Sequence, residues 1–180
     1  MRPDTEQRLQ TLDHISQPIA LQALEKGESP DQVLNPHKLR GRRRLRVTSI
    51  HELGHAIVSR ANGWIPAVIS VIREGNTLGF VKSVPSRMGS YFNRARESLA
   101  IKFGGIAAEK KMGHNDHRGA GSDMGNAENI AENLAYNFGG SANQYLSEAE
   151  QNATSTLNRY GLVYLHQQAE HLEEQGQIAA

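Results

Sequence analysis

This 180-residue chain predicts a mainly helical fold with a small β-hairpin or sheet, an α+β arrangement. Three observations lead there. Apolar residues recur at helical spacing through Val47, Ile50, Leu53, Gly54, Ile57, Val58 and Ala61. Two β-rich runs, 66–73 and 77–84, flank the turn residues Glu74-Gly75-Asn76, and Pro85 closes the second. Helical spacing returns at Met124, Ala127, Ile130, Ala131 and Leu134, and again between Leu157 and Leu172.

The elements follow in chain order. Residues 15–24 carry a weak helical repeat interrupted by Pro18, and residues 25–30 read as a loop. A short helix is expected after Ser29, with Pro30 at its first position. Lys38 to Arg46 is a basic run, which divides the chain into an N-terminal helical or linker segment, 1–46, and a main domain, 47–180. The helix beginning near Val47 has its stop at Asn62-Gly63. After the strand pair comes Leu99–Glu109, where Gly104, Gly105, Ala107 and Ala108 suit close helix packing. Ser122 is a good N-cap, which puts Asp123 at a helix start. Ser147-x-x-Glu150 reads as a capping box for a helix through Leu157, Tyr160, Tyr164, Leu165 and Leu172, and residues 175–180 are expected to fray.

Composition narrows the function classes. With 38% hydrophobic residues the chain is expected to bury one core and not two. The absence of cysteine excludes disulfides and thiolate-ligated metal. The charged N-terminus is no secretory signal, and no apolar run approaches the roughly 20 residues that span a bilayer. A soluble, cytoplasmic protein without a transmembrane segment is expected. Nineteen of the twenty basic side chains precede residue 123, whereas residues 123–180 set Arg159 against eight acids. No aromatic residues interleave with the arginines of the basic run, so a solvated first stretch of the following helix or its linker, packed against the acidic C-terminal part, is expected and nucleic acid is not the expected partner.

The stretch His51-Glu52-Leu53-Gly54-His55 carries the chemistry. Residues four apart share one helix face, so two imidazoles can reach one metal ion. Glu52 lies beside them as a base for water. A hydrolytic zinc takes three protein ligands and keeps one position open. Spacing alone leaves the third ligand open: Asp123 also reads as a first-turn acid complementing its helix dipole, and the loop residues His114, Asp116 and His117 are further donors.

The zinc motif, a strand pair with Leu78-Gly79-Phe80, the run Leu99–Glu109 and then Gly119-Ala-Gly-Ser-Asp-Met-Gly-Asn-Ala127 stand in a defined order. That order resembles the protease domain of the FtsH-type zinc metalloproteases over residues 47–140. The resemblance implies a zincin-type active-site helix and zinc held by His51, His55 and Asp123, with Glu52 as catalytic base. It also implies a substrate-edge strand at Leu78, Gly79 and Phe80. The implied activity is zinc-dependent endopeptidase action on unfolded or flexible polypeptide. Leu53, Ile106 and Ser122 depart from the residues usual in that family. No Walker-type phosphate loop occurs, so the expected peptidase works without its own ATPase, either alone or with a separate ATPase in trans. A homo-oligomer is a further implied partner. The alternative is a non-catalytic module of the same fold that binds a partner protease or another protein.

Overall fold

The computed structural model describes residues 3–75, 77–115 and 120–179. The chain forms two compact units, the first ending at Val47 and the second beginning at Thr48. The first contains α1 (Pro3–Gln10), α2 (Ser16–Glu25), α3 (Pro30–Val33) and the opening turns of α4 (Pro36–Ala61). Pro18 falls in the first turn of α2, where its missing N–H costs no helical hydrogen bond, and so does not break the helix. Ser29 precedes α3 and Pro30 takes the first position, as the sequence predicts. Leu9, Ile15, Ile19, Ala20, Ala23, Val33, Leu34 and Leu39 form a core of this unit.

The basic run is helical from its start and forms the first stretch of α4, one of the two placements expected for it. Its arginines are engaged inside the first unit. Arg42 pairs with Glu28 at 2.6 Å, Arg43 with Asp13 at 3.4 Å, and the buried Arg46 donates to Gln22 at 3.0 Å.

In the second unit, α4 ends as expected. Gly63 has φ +76°, and the backbone N–H groups of Asn62 and Gly63 bond back to Val58 and Arg60. β1 (Trp64–Ser70) and β2 (Phe80–Pro85) pair antiparallel from Trp64↔Pro85 to Ser70↔Phe80, with an irregularity between Pro66 and Val68. β2 is therefore shorter at its start than the predicted 77–84. Thr77 instead makes an isolated bridge to Glu74 across the turn. Pro85 is tolerated inside β2 because the sheet order is β2-β1-β3, which puts β2 at an edge.

α5 (Tyr91–Lys111) is capped by Ser90, whose side chain accepts from the Asn93 N–H. α6 (Gly121–Phe138) begins two residues before Asp123, so Ser122 is already helical and does not cap. α7 (Ala142–Leu157) is capped by Ser141, not Ser147, which lies mid-helix. A break at residues 158–161 separates α7 from α8 (Leu162–Gln175), where the sequence reading has one helix. Instead of fraying, the C-terminal end turns at Gly176 and forms β3 (Gln177–Ala179) on the outer edge of β1. Ile178 packs against the main core and the β1 ladder satisfies the backbone, which is why these residues order.

α4, α5, α6, α7, α8 and the sheet share one core, with Ile50, Leu99, Leu134, Leu157, Leu165 and Leu172 almost fully enclosed. No helix among the described residues is long and apolar enough to cross a membrane.

Candidate metal centre

The apolar stripe of α4 turns His51 and His55 inward, leaving them 8% and 7% exposed. Their Nε2 atoms lie 3.0 Å apart. Asp123, in the first turn of α6, brings Oδ2 to 3.2 Å from His51 Nε2 and 3.1 Å from His55 Nε2. The three residues meet in space as a candidate metal-holding group. His114 is not part of that group, and Asp116 and His117 lie outside the described residues.

The hydrogen bonds at the back of each ring define what the front can do. His55 Nδ1 is 2.7 Å from the backbone oxygen of Ile101, which can only accept, so Nδ1 donates. His51 Nδ1 likewise donates to Glu109 Oε1 at 2.7 Å. Both neutral rings then carry their lone pair on Nε2, and the two lone pairs converge on a carboxylate oxygen. Three electron-pair donors pointed at one spot repel unless a cation lies between them. Tetrahedral ligands held at about 2.0–2.1 Å from one zinc lie roughly 3.3–3.4 Å apart, close to the spacings here. The donor set therefore fits a divalent metal.

Without the metal, a proton serves the same balance. Burial works against a charged His51, but its bonds to Asp123 and Glu109 outweigh burial and raise its pKa to about 9. Burial also raises Asp123, yet the two histidines and Lys102 hold it well below the usual carboxylate range. Glu52, 7% exposed, is pushed up by burial, against the opposing pull of the neighbouring histidines. A carboxylate raised in this way is a stronger base near neutrality.

α5 supplies the wall behind the ligands. A Cβ built on Gly105 would lie 2.4 Å from the His51 ring, so only glycine leaves room for that imidazole. Gly54 and Gly104 meet where α4 crosses α5, and each would drive a Cβ into the other's backbone. This confirms the close-packing role expected of the Leu99–Glu109 run. Gly79 stands over Glu52: its Cβ would be 2.9 Å from Glu52 Oε1. Of the expected strand residues, Gly79 is thus brought against the site, Phe80 opens β2 and Leu78 precedes it, half-buried.

The profile of peptidase family M41 matches residues 39–175, which include every one of these groups. The chain belongs to peptidase family M41. Among its relatives, the ATP-dependent zinc metalloprotease FtsH of Ruminiclostridium cellulolyticum is 34% identical over 98 residues, 52% of this chain and 16% of that protein. The protein of the same name from Kosmotoga olearia is 31% identical over 113 residues, 60% of this chain and 17% of the relative. That of Syntrophotalea carbinolica is 29% identical over 98 residues, 52% and 15% respectively. The chain thus spans about one sixth of the length of the relatives it matches. Its triad matches the H-E-x-x-H-plus-aspartate site of zinc peptidases in this M41 domain.

Two supporting side chains escape the sequence reading, as does the Ile101 carbonyl. Glu109 ends a small-residue helix face, and a buried acid there needs a partner; that is the signal that could have found it. Lys102 offers no such signal. Removing the Glu109 carboxylate by Glu109→Gln weakens the orientation of His51, so zinc affinity is expected to fall about 10–100-fold in a chelator-competition titration. Unchanged affinity would show that His51 is held by packing alone.

Proposed function

We propose that this M41 domain is a zinc-dependent endopeptidase acting on unfolded or flexible polypeptide. The convergence of His51, His55 and Asp123 beside Glu52 carries this reading. Zinc bound there supplies Lewis-acid polarisation of the oxygens in its open position. Glu52 takes the proton of the attacking water and returns it to the leaving amine nitrogen. His51 and His55 keep their Nδ1 protons and donate them in hydrogen bonds to Glu109 and the Ile101 carbonyl, so their tautomers stay fixed through the cycle.

The position of β2 at an edge of the sheet, among the described residues, supports the substrate class. An extended peptide can add to that edge by backbone hydrogen bonds and run past Gly79 toward Glu52, with little demand on its side chains. Leu78, Gly79 and Phe80 line this approach. A compact folded substrate offers no such strand, so cleavage falls on loose segments, or on chains opened by an ATPase acting in trans. The reading also carries the cytoplasmic location expected from composition, and self-association, which the family relationship suggests.

The test combines metal content with turnover. The purified chain is expected to bind about one zinc and to lose casein hydrolysis on chelation, with recovery when zinc returns. Asp123→Ala should lose both zinc and activity, whereas His114→Ala should keep both. Full zinc in Asp123→Ala would place the third ligand elsewhere.

A further inference from the structure

We propose that Lys102 is a positioning residue that makes Asp123 present a single oxygen to the metal. This rests on the metal-site reading above. Asp123 has two chemically equivalent oxygens, and the protein treats them differently. Oδ2 faces both histidine Nε2 atoms, whereas Oδ1 lies 3.0 Å from Lys102 Nζ. A carboxylate can bind a cation through one oxygen or through both. Binding through both would fill a position that a hydrolytic site keeps open for water and substrate. An ammonium on Oδ1 engages one of its lone pairs and sets a positive charge beside it, both of which compete with such a second bond.

The placement of Lys102 has a structural logic. It follows Ile101, whose carbonyl fixes His55, and precedes Gly105 and Glu109, which seat and orient His51. One helix, α5, thereby sets the orientation of all three ligands. Asp123 is mostly enclosed, its side chain 15% exposed, so the pair is shielded from water on the carboxylate side. The Lys102 side chain is 32% exposed and is not part of the apolar core, so replacing it leaves that core intact. The 3.0 Å contact with Asp123 puts the ammonium beside the ligand group rather than on a remote surface.

The test uses the full chain with cobalt(II) as a spectroscopic substitute for zinc, because visible band intensity falls as coordination number rises. Wild type is expected to give the strong bands of a four-coordinate site. Lys102→Met should bind cobalt with weaker bands and lose about tenfold or more in zinc affinity measured against a competing chelator. Lys102→Arg, which keeps a charged donor, should restore the wild-type spectrum. Lys102→Leu provides the same reading if the methionine variant folds poorly by circular dichroism. Wild-type spectra and affinities in both apolar variants would overturn the proposal, as would tighter zinc binding, which would mean that charge repulsion dominates. A wild-type chain that takes up no cobalt would overturn the metal-site reading itself, and the Lys102 proposal with it.

Discussion

Glu52→Gln is expected to leave zinc in place and to cut peptide hydrolysis about 10²–10⁴-fold, the usual contribution of a positioned general base. The substitution preserves shape and helix propensity and removes the proton acceptor. Glu52 is absent from the ligand group, so metal content measured by atomic spectroscopy should match wild type. Its packing under Gly79 is also kept, because the amide occupies the same volume. Initial rates on a fluorogenic peptide give the comparison. Equal turnover by the two proteins would place the chemistry elsewhere, and zinc loss in the variant would make Glu52 a ligand.

The second large effect is on stability. Gly54→Ala puts a methyl group 2.2 Å from the Gly104 carbonyl oxygen and 2.7 Å from Ala108 Cβ. Backbone cannot rotate away, so α4 and α5 must separate. Overpacking costs about 1–3 kcal/mol or more, against a helix-propensity gain of about 1 kcal/mol for Gly→Ala. With a backbone oxygen at 2.2 Å the cost falls at the upper end of that range, and a net loss of about 2 kcal/mol lowers Tm by roughly 4–8 °C in a chain of this size. Gly125→Ala on α6 is the control: nothing lies within 4 Å of its Cβ, so propensity alone acts and Tm should rise. A Gly54→Ala variant as stable as Gly125→Ala would mean that the helix crossing is looser than described.

What the sequence reveals of this site depends on whether the signal is local. His51 and His55 are legible because two ligands share one helix face, and Asp123 because its motif has a family counterpart. Ile101, Lys102 and Glu109 act on the ligands from another helix, and no spacing rule relates position 51 to position 109. The same division holds for the fold. Asn62-Gly63 marks a true helix end because a left-handed turn follows at Gly63. Ser147-x-x-Glu150 misleads because the capping pattern also suits a helix interior, while Ser141 holds the actual cap. β3 is missed because its order comes from the open edge of β1, a partner far away in sequence. The arginines of α4 read as a charge run, yet the acids they pair with, Asp13 and Glu28, come from the preceding loops.

His55 and Asp123 are 68 positions apart in the chain and 3.1 Å apart at the site. A metal joining them is a cross-link in a protein that has no cysteine to make one. Closing a loop of that length restricts the unfolded chain much as a disulfide would, and the restriction is reversible and set by free metal concentration. Zinc supply would then govern how long the domain survives as well as whether it can act, and starvation for the ion would expose the peptidase itself to degradation.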